Sequence, residues 1–170
     1  MSKAAIAGST SGRTTRRQEP FTRVAPILGS ALLIGAGGGF VLATVLTLTR
    51  AFRVPGGVWW LALAQAHGHL QLYGWAGLFV LGVAFHFLPR LRGVGLAFAE
   101  WIPWLLAALV AGIILRGVSQ PLLAASGAGV WQIGLVASGL LELVALGGML
   151  VIVVTTAIQE IGRASCRERV

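Results

Sequence analysis

The sequence predicts an all-α, polytopic transmembrane helical bundle with four spans, and three observations lead there. Of 170 residues, 56% are hydrophobic and 11% charged, where an ordinary soluble domain is about a quarter charged. The apolar residues gather into four long runs, 25–48, 58–88, 101–118 and 131–157, near the ~20 residues that cross ~30 Å of hydrocarbon. Trp59, Trp60, Trp101, Trp104 and Trp131 stand at run ends, as an interfacial aromatic belt would. The chain holds no Asp and no Asn, and its single cysteine, Cys166, has no internal partner for a disulfide. A soluble enzyme core, a disulfide scaffold and an intrinsically disordered chain are poor descriptions of such a composition.

Residues 1–23 are small, polar and basic, with Lys3, Arg13, Arg16, Arg17 and Arg23, and read as a disordered cytoplasmic tail. The first run carries Gly35 to Gly39, where small residues allow close helix approach. The second run is the longest and must tilt or extend beyond the bilayer. Pro55, Pro89, Pro103 and Pro121 lie at or near run ends, where proline is tolerated. Basic residues set the orientation. Five in the tail, with Arg90 and Arg92, stand against Arg50, Arg53 and Arg116, which places the N-terminus in the cytoplasm of a bacterial inner membrane. The formal charge of +8 forms no aromatic-interleaved stripe, so no nucleic-acid partner is expected. Residues 161–170, IGRASCRERV, look like an in-frame translation of a sequencing adapter. Set apart as such, they leave ten basic residues against four acidic ones and a membrane domain (24–160) expected to be truncated.

Polar groups in hydrocarbon are costly, so the few present are the informative ones. All three histidines lie in the second run. His67 and His69 sit eight and ten residues beyond Trp59, about 12–15 Å below the outer interface at 1.5 Å per residue. Two positions apart on a helix is ~200° of rotation, so the two imidazoles face opposite ways and cannot share one metal from a regular helix. His67 shares a face with Gln71; His69 shares the other with Gln65 and Tyr73. The arrangement suggests one imidazole ligating a metal while the other hydrogen-bonds or serves a second site, with Gly68 between them allowing a flat group to approach. His86, near the inner end, reads as structural. Glu142 is the only acid within a span, ~16 Å below Trp131 and level with His69, its candidate hydrogen-bond partner. Arg50, Arg53 and Arg116 lie toward the outer face, suited to carboxylates or lipid headgroups.

The segment His67-Gly68-His69-Leu70-Gln71-Leu72-Tyr73-Gly74-Trp75, followed by Phe85-His86-Phe87-Leu88-Pro89-Arg90, resembles the H-x-H helix of the NnrS family. It is also similar to the second helix of haem-copper oxidase subunit I. Leu70-Gln71 stands where the NnrS family usually has Glu-Met, which favours the oxidase-like relatives. The resemblance covers about thirty residues and implies a polytopic haem protein, with copper in the NnrS case, concerned with nitric oxide or a related small gas. Carried over by position, His67 and His69 match the H-x-H pair and Pro89 the helix exit. The resemblance also implies histidines from later helices, and none stands outside the second run.

The expected function is therefore a haem-binding membrane protein linked to nitric oxide or small-gas metabolism or tolerance. Its metal ligands are His67 and His69, and its cofactor contacts are His67, His69, Gln71, Tyr73, Glu142 and Arg116. The expected partners are the lipid bilayer, a second copy or another membrane subunit, and a small gas. The alternative is a cofactor-free transporter-like or scaffolding bundle in which His69 and Glu142 form a buried polar pair.

Overall fold

The computed structural model describes residues 21–167, with side chains described through residue 159. Among these the chain is helical, without strands, and four helices are long and apolar enough to cross a membrane: α1 (Ala25–Ala51), α2 (Trp59–Arg92), α3 (Ala99–Ser126) and α4, apolar over Gly129–Gln159. The helix of α4 continues to Arg167. Residues 1–20 of the expected basic tail lie outside the described residues. Its last three, Phe21–Arg23, form a 3₁₀ turn, with the Phe21 ring edge-on to His86 at 5.7 Å.

Two expectations are corrected. The third span does not stop near 118 but runs to Ser126, and Pro121 lies inside it, buried. A lone proline removes one backbone donor, a loss a packed membrane helix absorbs, and the apolar Leu122 to Ala125 carry the helix on. In consequence Arg116 does not stand at the end of the span. It sits inside α3, ten residues before its end and about 15 Å along the helix. Pro89 likewise lies within α2, not beyond it.

Local chemistry explains the helix ends. α2 stops at Gly93 and α3 at Gly127, both with positive φ (69° and 64°), and their N–H groups donate to the carbonyls of Pro89 and Leu123 at 2.8 Å. Glycine enters this left-handed conformation without the Cβ clash other residues suffer. Hydroxyls inside the spans are satisfied locally: Thr44, Thr47 and Thr49 donate to carbonyls four residues earlier, at 2.7–2.9 Å.

Packing follows the small residues. α3 and α4 form an extensive antiparallel hairpin, α1 lies on α2, and α2 lies between α1 and α3. Gly74 admits Ile34, Gly82 admits Leu28, and Gly148 admits Leu105, each so closely that a methyl group would collide. The core runs through Ile27, Ala31, Leu78, Phe85, Leu109, Ile113, Met149 and Ile152. The outer surface is apolar as well: Leu33, Trp104 and Ile133 are 75%, 74% and 71% exposed. A surface of this kind is stable against lipid, not water. The fold is a multi-pass membrane bundle.

For description, the end carrying residues 52–58 and the α3–α4 turn is the upper end; residues 93–98 lie at the lower end.

Candidate functional site

Two π-helical turns lie at the middle of the bundle, Gly35–Phe40 in α1 and Leu70–Gly77 in α2. They pack against each other, with Gly35 under the Trp75 ring, Gly38 against Leu70 and Gly39 against the Gln71 amide. π turns are rare and collect at functional sites. The glycine run of α1 supplies the close approach. The histidine pair stands just before the second π turn, and His67 meets the glycine-rich backbone of α1.

His67 turns toward α1, where its Nδ1–H donates to the Gly39 carbonyl at 2.9 Å. A carbonyl can only accept, so this bond assigns the proton to Nδ1 and leaves Nε2 as the lone-pair nitrogen of the neutral ring. Among the described residues Nε2 has no hydrogen-bond partner, and it is not one of the sealed unpaired atoms. His67 is half-buried, and a Cβ built on neighbouring Gly68 meets nothing within 4 Å. Gln71, one turn on, covers Gly39, and its Oε1 is sealed without a partner.

His69 turns the other way. Its Nε2–H donates to Oε1 of Glu142 at 2.9 Å, joining α2 to α4, with side chains 11% and 9% exposed. Tyr73 stacks obliquely on the His69 ring, with centroids 4.5 Å apart at 32°. The depth match between His69 and Glu142 expected from the sequence is thus a direct bond. Gly112 of α3 makes room for it: a Cβ there would come within 2.8 Å of Glu142 Cγ and 3.0 Å of the Ser138 carbonyl. Above, the Gln120 amide donates to Gln65 Oε1, tying α3 to α2.

Arg116 has a distinctive place. On α3, Gly112 and Ser119 face α4, whereas Ile113, Gly117 and Gln120 face α2. At ~100° per residue Arg116 falls between these rows, toward the groove that His69 and Glu142 bridge. Its Nε is sealed without a hydrogen-bond partner, as are Ser119 Oγ and Gln120 Oε1.

The six residues expected to contact a cofactor fall into two groups. His67 and Gln71 lie against α1; His69, Tyr73 and Glu142 lie toward α4, with Arg116 on that side. No group of three or more His, Cys, Asp or Glu side chains that could hold a metal ion occurs among the described residues. His67 and His69 do not converge, as their spacing required. His86 meets Phe21 and Phe87 edge-on and stays apart from both groups. Sequence reasoning read Gly39 as a small residue but not as a hydrogen-bond acceptor, and passed over Gly112 and the Gln65–Gln120 bond. The glycine run 37–39 was the available signal for the first, but a backbone carbonyl acceptor has no side-chain signature. Comparison with family models, with curated proteins and with solved structures finds no match.

Proposed function

We propose that this chain belongs to a haem-binding membrane protein of the NnrS or oxidase-subunit-I type, handling nitric oxide or a related small gas in a bacterial inner membrane. Its N-terminus lies in the cytoplasm. One observation carries the reading: Gly39 holds the Nδ1–H of His67 and leaves Nε2 free. Metal-ligating histidines are typically held in this way, since the second-nitrogen bond fixes tautomer and ring orientation and raises the basicity of the ligating nitrogen.

The residues would fit a haem held by one histidine. His67 would hold the iron through Nε2, and the open space at Gly68 leaves room beside the helix for a flat ring. Bound haem would supply an iron position able to take a small gas. Gln71 positions the α1 backbone that orients His67. The His69–Glu142 pair, on the other side of α2, is the proton-holding group, because a carboxylate and an imidazole at 2.9 Å can pass a proton between Oε1 and Nε2. Copper would need ligands beyond His67 and His69, which face different helices. A second copy of the chain or another membrane subunit is the source of any further ligand.

The test is expression of the chain with haem supply. A Soret band is expected, abolished by His67→Ala and altered little by His69→Ala. Absence of the band, or its persistence in the double variant, overturns the reading. A specific observation favours the alternative, a cofactor-free transporter-like or scaffolding bundle: both histidines already have hydrogen-bond partners within the bundle. In that case Glu142→Gln impairs transport or assembly while His67→Ala is tolerated.

A further inference from the structure

We infer that the connection between α1 and α2 forms a binding site for an anionic phospholipid, with the phosphate between Arg50 and Arg53 and an acyl chain along Leu46 and Trp60. A cavity of about 610 Å³ lies at the upper end, lined by Thr49, Arg50, Arg53, Gly56, Gly57 and Trp60 among others. A second cavity, about 470 Å³, shares Arg50 and Trp60 and continues down α1 past Thr47 to Leu46. One is headed by two guanidiniums, and the other runs beside Leu46, Ala51 and Trp60 along the last turns of a helix long and apolar enough to cross a membrane. That sequence of chemistries matches a charged head on a hydrocarbon tail.

The charge is uncompensated. Arg50 and Arg53 are exposed and make no ion pair among the described residues, and no acidic side chain lines either cavity. The C-terminal end of α1 contributes about half a negative charge, against two positive ones. The amides of Gly56 and Gly57 also have no backbone acceptor among the described residues. The backbone is shaped at some cost: Arg53 adopts φ +55°, a left-handed conformation unusual for a residue with a Cβ. Strain of this kind persists where the surroundings require it. Here the turn is closed by Arg53 N–H donating to the Arg50 carbonyl at 3.2 Å, and both arginines line the cavity. Free phosphate would use the upper cavity alone; the adjoining apolar cavity argues for the lipid.

The experiment is native mass spectrometry of the detergent-purified full chain, titrated with phosphatidylglycerol or with phosphatidylcholine of the same acyl chains. Two arginines near a membrane surface are expected to favour phosphatidylglycerol on the order of tenfold or more. The Arg50→Gln/Arg53→Gln variant is expected to lose that preference, and Arg92→Gln, at the opposite end, to keep it. Arg53→Gly serves as the folding control, because glycine adopts the positive φ freely: its melting temperature should not fall, yet its preference should weaken. Equal retention of the two lipids, or an unchanged preference in the double variant, overturns the proposal. Displacement of phosphatidylglycerol by millimolar inorganic phosphate also overturns it and identifies a free-anion site instead.

Discussion

The upper and lower halves of this bundle solve the same packing problem with different chemistry. In the lower half, Leu78, Phe85, Met149 and Ile152 interlock with almost no exposure, and the buried Thr156 hydroxyl accepts the Ala97 N–H at 3.1 Å while donating to the Ile152 carbonyl. In the upper half the helices are joined by polar bonds, His67 to α1, His69 to α4 and Gln65 to α3. Several polar atoms there stay sealed and unpaired: Gln71 Oε1, Arg116 Nε, Ser119 Oγ and Gln120 Oε1. All four such atoms among the described residues belong to α2 and α3 in this half. Buried polar groups are nearly always satisfied, so this layer of exceptions sets the upper half apart from the lower. The lower half packs apolar side chains against one another; the upper half joins its helices through polar side chains.

The contrast can be broken most forcefully from below. Phe85→Ala empties a fully buried site and should cost about 3–5 kcal/mol in unfolding measured in detergent. The upper polar bonds should survive it until the bundle melts. A loss under 1 kcal/mol would mean that the lower half is not the stabilising half. Gly112→Ala is the sharper probe of the upper half. Its new methyl meets Glu142 Cγ and the Ser138 carbonyl, and a carbonyl of a helix backbone cannot step aside. The expected cost is about 1–3 kcal/mol, from overpacking between α3 and α4. A loss of the His69–Glu142 bond should accompany it, read from the ring nitrogen shifts of His69. Unchanged stability would show that the α3–α4 contact is looser there than described.

The smallest effect belongs to the polar pair itself. A double-mutant cycle of His69→Ala and Glu142→Ala should give a coupling of about 0.6–2 kcal/mol, the range of hydrogen bonds between membrane helices. Glu142→Gln, which keeps an acceptor at the same reach, should retain most of the stability. If the cycle shows no coupling while Glu142→Gln abolishes activity, the pair serves chemistry alone. A coupling without any functional defect would make it a structural clamp and favour the cofactor-free alternative.

Much of this was legible in the chain. Four apolar runs gave four spans, and the first helix differs from its expected bounds only at its C-terminal end, reaching Ala51 instead of 48. The opposite facing of His67 and His69 follows from helical rotation alone, and their partners lie on α1 and α4 accordingly. Arg116 was misplaced because Pro121 reads as punctuation in one dimension. In a bundle, packing carries a helix past a missing donor. Gly39 was legible as a small residue but not as a hydrogen-bond acceptor.

The division has a physical origin. Composition and periodicity determine how many helices form and which residues are too costly to leave in lipid, because those are properties of a segment and its solvent. Which carbonyl meets His67, which acid meets His69 and which guanidinium stays unpaired depend on how helices far apart in sequence cross. That crossing is decided by glycines such as Gly74 and Gly112 meeting particular side chains at contact distance. The sequence by itself determined a four-span membrane bundle with a polar upper half. Only the tertiary structure assigned each polar group its partner, because close packing acts over a few ångströms and between residues up to 73 positions apart, as in His69 and Glu142.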